Sequence, residues 1–183
     1  LTPYAKKGIA VVGLEPSSVF GFRDEFPALL PGEDTRRLAD HVMLIETFLL
    51  ARAKTLNLPL KPLNRTILMH GHCHQKAHNQ VSDLQQALAL IPDADIAPIE
   101  TSCCGMAGSF GYAKDTAAVS TKMAELSLYP AIRSAGTNSL VAANGFSCRH
   151  QIASGTDAEA LHMVRILERA LQADPANGPT GAG

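Results

Sequence analysis

The sequence predicts an α/β fold in which a parallel sheet is flanked by helices. Short apolar runs, typical of strands buried on both faces, alternate with stretches whose apolar residues recur every three to four positions. The cysteines follow strand candidates, in loops predicted at the C-terminal ends of the strands. Alternating strands and helices favour parallel pairing, so we expect Rossmann-like βαβ units.

Four apolar runs are predicted to form the strands. The run at 9–14 is almost wholly apolar, and the run at 66–70 follows a proline-bearing connector. Two further runs complete the set, at residues 96–99 and 139–143. Because none shows the polar alternation of a half-exposed strand, we expect both faces of the sheet to be covered.

Helices are predicted between these strands. Turn and cap residues at Pro16-Ser17-Ser18 predict a first helix that continues to about residue 26. Apolar spacing predicts a long amphipathic helix over 34–53. Further helices are predicted over 82–90, over 114–133 with a break at Pro130, and over 157–171. The last residues, 173–183, are rich in Pro and Gly and are expected to form a disordered tail.

Composition narrows the functional class. The 183 residues carry 16 basic and 17 acidic side chains, a near-neutral balance without the positive charge typical of nucleic-acid binders. No apolar run approaches the roughly 18 residues needed to cross a bilayer, and the printed sequence does not open on a secretory signal. We therefore expect a cytoplasmic location, with peripheral association at the inner face of the membrane also open.

All four cysteines are predicted to meet at one edge of the sheet. Cys73 comes shortly after the second strand candidate, Cys103 and Cys104 after the third, and Cys148 after the fourth. The carboxyl ends of parallel strands lie at the same edge, where ligands bind in such sheets. The sequence therefore predicts one shared site at this edge.

Metal chemistry fits this set of thiols best. Four thiolates can close a tetrahedral zinc site or hold an iron–sulfur cluster, whereas the Cys-x-x-Cys pattern of a thiol–disulfide oxidoreductase is absent. The adjacent Cys103 and Cys104 point to diverging positions, which favours a cluster over a single ion. Zinc, a cluster and a thiol redox site using Cys103 or Cys104 all stay open.

Glycines and histidines surround the cysteines. Glycines would let backbone N–H groups approach a bound cofactor closely; the predicted cofactor-binding set is Gly71, Gly105, Gly108 and Gly145. Neutral imidazole is a common alternative ligand for iron and zinc. His72, His74 and His150 are therefore further metal-ligand candidates.

Three motifs together resemble a known family. They read His72-Cys-His-Gln-Lys76, Cys103-Cys-Gly-Met-Ala-Gly-Ser-Phe-Gly111 and Gly145-Phe-Ser-Cys-Arg-His-Gln151. This combination resembles the cysteine-rich CCG domain that occurs in heterodisulfide reductase, in the iron–sulfur subunits of glycolate oxidase and glycerol-3-phosphate dehydrogenase, and in lactate-utilisation proteins. It is most similar to the C-terminal part of fused FAD-linked oxidases.

The resemblance implies a cofactor and a function. Cys73, Cys103, Cys104 and Cys148 would bind an iron–sulfur cluster, either [4Fe–4S] or the non-cubane form that the fullest motif holds on five cysteines. The chain would pass electrons from an FAD on a separate domain, which oxidises a 2-hydroxy acid of the glycolate, D-lactate or D-2-hydroxyglutarate type. Its partners would be FAD-binding and ferredoxin-like domains. The chain alone is expected to be inactive, and to lose its cluster easily.

The resemblance also implies a domain division. Residues 1–62 are expected to be the end of a preceding CCG repeat plus a connecting helix, residues 63–172 the cysteine-rich domain, and residues 173–183 the tail. Relatives often have cysteine where Ser18 stands, and the fullest motif ends in Cys-x-x-Cys where this chain has Cys148-Arg149-His150-Gln151. We therefore expect an upstream repeat in a longer polypeptide. A structural zinc module for assembly with the flavoprotein is the alternative function.

Overall fold

The computed structural model describes residues 1–172 and has the predicted α/β class. The predicted tail, 173–183, lies outside the described residues. The strands are β1 Val11–Gly13, β2 Val42–Leu44, β3 Thr66–His70, β4 Asp95–Pro98, β5 Ser139–Ala143 and β6 Ala160–Leu161. The helices are α1 Thr2–Ala5, α2 Pro16–Arg23, α3 Glu25–Leu29, α4 Glu33–His41, α5 Ile45–Leu56, α6 Cys73–Ala77, α7 Val81–Leu88, α8 Ala117–Glu125, α9 Leu128–Arg133, α10 Phe146–Gly155 and α11 Met163–Gln172, with a 3₁₀ turn at Phe110–Tyr112.

The main sheet has four parallel strands in the order β4-β3-β5-β6. In register, Met69 of β3 pairs with Pro98 of β4, and His70 pairs with Ala143 of β5. The three strands that precede the cysteine motifs are therefore neighbours whose carboxyl ends are aligned. This alignment places the motif segments side by side.

Both faces of the main sheet are buried, as the apolar runs predict. Alternate residues Ile67, Met69, Leu140 and Ala142 pack with α7 and α11, whereas Val141 and Ala143 pack with α8, α9 and α10. The central strand pair thus carries two separate cores. Such burial fixes the register of the strands, because a slip of one residue would exchange the two faces.

A second, two-stranded parallel sheet joins β1 to β2. The predicted continuous helix over 34–53 is wrong, because β2 interrupts it between α4 and α5. Val42 and Leu44 are buried and pair with Val11 and Gly13 of β1. Three strand residues are too few to disturb the three-to-four spacing of the flanking helices, so the periodicity did not reveal them.

The closing helix also begins later than predicted. It begins at Met163 rather than near residue 157, because residues 160–161 pair with β5 as β6. The predicted 114–133 helix is interrupted, but at residues 126–127 rather than at Pro130: α8 ends at Glu125, and α9, which contains Pro130, begins at Leu128. Within the described residues, no helix is long and apolar enough to cross a bilayer.

Candidate metal centre

The cysteines follow the aligned strand ends in three short segments. The predicted loop position is wrong for two cysteines: Cys73 is the first residue of α6, after β3, and Cys148 is in the first turn of α10, after β5. Cys103 and Cys104 lie in the loop that follows β4. Cys104 and Cys148 are buried, Cys103 is half-buried and Cys73 is exposed. The site therefore extends from the protein interior to its surface.

One buried group brings two of the cysteines together with His70. The Sγ atoms of Cys104 and Cys148 and a ring nitrogen of His70 all lie within 4.8 Å of one another. His70 is the last residue of β3, so its position is set by pairing with Ala143 of β5. Sequence reasoning did not select His70 as a ligand, because a strand-end histidine has no local signature of metal binding.

A second group is built around Cys73. Its Sγ lies 3.8 Å from Nδ1 of His72 and 3.7 Å from Nδ1 of His74. Nδ1 of His72 also accepts a hydrogen bond from the backbone N–H of His74. Burial lowers the pKa of His72, so its imidazole is neutral at neutral pH. His72 therefore acts first as the N-cap of α6.

Electrostatic interactions link all four thiols. Burial raises the pKa of Cys73, and the nearby Cys103 and Cys104 raise it further. The pKa of Cys148 is raised, first by its hydrogen bond to Cys104, then by burial and by the charges of the other three cysteines. The pKa of Cys104 is lowered to about 4, first because the Cys148 thiol donates to it and then because His70 and the backbone of Met106 also stabilise its thiolate. Cys104 thus holds the negative charge of the buried pair.

Lys76 fixes the loop that carries Cys103 and Cys104. Its Nζ donates to the backbone oxygens of Thr101 and Ser102 and to Oγ1 of Thr101, the last at 3.0 Å. Burial lowers the pKa of Lys76, whereas negative charge on each of the four cysteines raises it. The ammonium group is therefore placed to compensate the charge of a thiolate site.

Two of the predicted glycines are required by close packing. A Cβ on Gly145 would lie 2.3 Å from the ring of His72 and 3.1 Å from Sγ of Cys148. Gly105 has a positive φ of 92°, and its Cβ would lie 2.3 Å from the backbone oxygen of Ser120. Gly145 thus brings the α10 segment against the α6 segment. Gly71 instead packs near Val81, and a Cβ on Gly108 would meet no atom within 4 Å.

The remaining predicted ligand, His150, is exposed at the rim of the site. Its Nδ1 is 2.7 Å from the hydroxyl of Tyr112, and its ring contacts that of Phe146. Among the described residues, His150 belongs to neither of the two groups whose ligand atoms lie within 4.8 Å. The structure therefore places His150 apart from the buried thiols.

A buried glutamate, Glu46, connects the segment after β3 to the segment after β5. Oε1 of Glu46 accepts hydrogen bonds from Nε2 of Gln75 and from Nδ2 of Asn144, at 2.5 and 3.2 Å. Gln75 in turn accepts from the backbone N–H of His72, and Asn144 accepts from that of Met163. Burial raises the pKa of Glu46, whose second oxygen has no partner. Sequence reasoning missed Glu46, which lies far along the chain from both motifs.

Comparisons with known proteins show similarity to dehydrogenases. The chain is 31% identical to one of the subunits of anaerobic glycerol-3-phosphate dehydrogenase from Escherichia coli (strain K12), over 90% of the chain and 41% of the relative. It is 27% identical to D-2-hydroxyglutarate dehydrogenase of the same strain, over 91% of the chain and 16% of the relative. The D-2-hydroxyglutarate dehydrogenase of Haemophilus influenzae is 26% identical, over 94% of the chain and 17% of the relative.

The chain thus spans about two fifths of the first curated relatives that it matches, and a smaller share of the others. It therefore resembles one part of larger oxidoreductases. No protein-family model matches the chain. No solved structure matches it either.

Proposed function

We propose that this chain is the iron–sulfur electron-transfer part of an FAD-linked oxidoreductase that acts on a 2-hydroxy acid. The observation that carries the proposal is the convergence of four cysteines from three neighbouring strand ends. The similarity to glycerol-3-phosphate and D-2-hydroxyglutarate dehydrogenases supports it. In such an enzyme the hydroxy acid becomes a 2-oxo acid, and the electrons leave the flavin singly through the iron–sulfur part.

The donor set fits an iron–sulfur cluster. Cys73, Cys103, Cys104 and Cys148 would hold the cluster, which would accept and release single electrons. Backbone N–H groups already contact sulfur here, since Gly105 donates to Sγ of Cys103 at 3.3 Å. Hydrogen bonds of this kind to the cluster ligands, together with the charge of Lys76, are levers on a reduction potential.

The proposed domain division also has support in the topology. The order β1-α2 followed by β2-α5 repeats as β5-α10 followed by β6-α11, and each strand pair is parallel. Ser18 is the third residue of α2, just as Cys148 is the third residue of α10. We propose on this basis that residues 1–62 contain the end of a preceding repeat in which Ser18 occupies the ligand position.

One observation favours a second candidate, a structural zinc site. Zinc–sulfur bonds of about 2.3 Å put tetrahedral ligand atoms roughly 3.8 Å apart, and the atoms of His70, Cys104 and Cys148 already lie within 4.8 Å of one another. A thiol redox role has less support. Attack on a disulfide requires an accessible thiolate, whereas the acidified Cys104 is buried and the exposed Cys73 has a raised pKa.

Anaerobic reconstitution tests the proposal. We expect the full chain, treated with iron and sulfide, to bind about four iron atoms and to become brown, as clusters on four cysteines do. Iron, acid-labile sulfide and zinc are measured on the same sample. Stoichiometric zinc without iron would instead support the zinc candidate.

The charge of Lys76 gives a finer test. We expect Lys76→Met to lower the reduction potential by roughly 40–100 mV, the effect of one charge in a partly exposed site, because a positive charge stabilises the reduced cluster. The potential is measured by redox titration monitored by EPR. Lys54→Met, on the exposed side of α5, is the matched control and should leave the potential unchanged. Equal potentials for both variants would contradict this role of Lys76.

A further inference from the structure

His70 has a hydrogen-bonding pattern that distinguishes it from the other histidines near the site. Its side chain is 1% exposed, its Nδ1 lies 3.1 Å from Oγ1 of Thr101, and its Nε2 has no hydrogen-bond partner. Buried polar atoms nearly always have partners, so an unpaired ring nitrogen calls for an explanation. A ring nitrogen of His70 and the Sγ atoms of Cys104 and Cys148 lie within 4.8 Å of one another.

Thr101 holds the ring of His70 through Nδ1. Its Oγ1 accepts from Nζ of Lys76 at 3.0 Å and lies 3.1 Å from Nδ1. The hydroxyl oxygen has a second lone pair, so it can accept from the Nδ1–H tautomer of His70. The free lone pair of the imidazole is then on Nε2. Metal-bound histidines commonly donate their other N–H to a neighbouring group in this way.

The other histidines are less suited to bind the buried metal. Nδ1 of His72 accepts the cap bond from His74, and its Nε2 lies 4.0 Å from Oε1 of Glu15. Nδ1 of His74 contacts the exposed Cys73, and that of His150 contacts the hydroxyl of Tyr112. Of these histidines, only His70 has its Nδ1 in contact with a hydroxyl, that of Thr101, and a buried Nε2 without a hydrogen-bond partner, close to two buried thiols.

We propose that Nε2 of His70 is a metal ligand, which together with Cys73, Cys103, Cys104 and Cys148 gives a site of five protein donors. The inference rests on the proposed iron–sulfur function and deepens it. Lys76 then acts through Thr101 as well as by its charge, since it holds the hydroxyl that orients the imidazole.

Pulsed EPR on the anaerobically reconstituted full chain tests the assignment. The chain is prepared with natural-abundance nitrogen and again with ¹⁵N-labelled histidine. We expect a strong histidine-nitrogen hyperfine coupling, changed by the label, in the unsubstituted protein. The coupling should be lost in His70→Gln and His70→Cys but kept in His41→Gln. His41 is a suitable control because it lies on α4, and its Nδ1 is bonded to the backbone oxygen of Arg37.

The outcomes separate this inference from the proposed function. A cluster with full iron content and no labelled nitrogen coupling would overturn the His70 assignment and leave the electron-transfer proposal standing. That measurement needs no variant, so a failure of His70→Gln to fold does not affect it. If the chain binds zinc and no iron, the electron-transfer proposal fails. The same nitrogen measurement on cobalt(II)-loaded chain then supports the His70 assignment if the coupling is present and is lost in His70→Gln, and overturns it if the coupling is absent.

Discussion

Cys104→Ser is expected to abolish cluster binding, with iron falling from about four atoms per chain to less than about one. The pKa of Cys104 is lowered to about 4, and Cys104 lies next to Cys148 and His70 in the buried part of the site. A serine hydroxyl stays protonated at neutral pH and is a poor ligand for iron. Loss of the Cys104 thiolate would leave Cys148 and His70 without the anionic ligand beside them.

The measurement is iron and acid-labile sulfide per chain after anaerobic reconstitution. Cys148→Ser should have the same effect, since Cys148 is the buried partner of Cys104. Cys73→Ser should retain more iron, because Cys73 is exposed and water can replace it. Ser147→Ala, beside Cys148 in the first turn of α10, is the matched control and should reconstitute fully. Full iron content in Cys104→Ser would refute the proposed ligand set.

Glu46→Ala is expected to lower the free energy of unfolding by about 2–4 kcal/mol. The substitution leaves two buried amide donors, Nε2 of Gln75 and Nδ2 of Asn144, without their acceptor, and each unpaired donor costs about 1–3 kcal/mol. The substitution also removes the cost of burying the Glu46 carboxyl group, which offsets part of this loss. Because the two donors belong to the segments after β3 and β5, the same variant should also reconstitute less iron.

Urea denaturation of the cluster-free chain measures this effect. Glu125→Ala, which removes an exposed ion pair with Arg133, is the control and should cost less than about 1 kcal/mol. Glu46→Gln keeps an acceptor oxygen for both donors and should be far milder than Glu46→Ala. Equal stabilities of Glu46→Ala and the unsubstituted chain would contradict the connecting role of Glu46.

The difference in stability between Glu46→Gln and the unsubstituted chain should depend on pH. Burial raises the folded-state pKa of Glu46 above its ordinary value of 4.5. The folded state therefore binds this proton more strongly than the unfolded state does. The associated stabilisation is complete below about pH 4.5 and is lost as the pH rises through the folded-state pKa. Relative to the unsubstituted chain, Glu46→Gln should thus gain stability between acidic and neutral pH.

Local sequence pattern was sufficient for the strands that meet at the site, but it did not predict α6 and α10, whose first turns carry Cys73 and Cys148. The apolar runs at 66–70 and 139–143 are strands with the predicted bounds, and the run at 96–99 is shifted by one residue. Parallel strands end at one edge, so the convergence of the cysteines followed from strand order alone. Periodicity failed at residues 42–44 and 160–161, because short strands leave no periodic signal and depend on pairing partners.

The chemistry of the cysteine segments was thus determined by the sequence itself: residue type, spacing and position after buried strands predicted a thiol-rich site on an α/β sheet. Only the tertiary structure decided which other groups complete it. Glu46 reaches Gln75 and Asn144 across 29 and 98 residues of sequence, and His70 meets Cys104 and Cys148 through strand pairing. Such contacts depend on how distant segments pack, whereas sequence pattern reports only on neighbours along the chain.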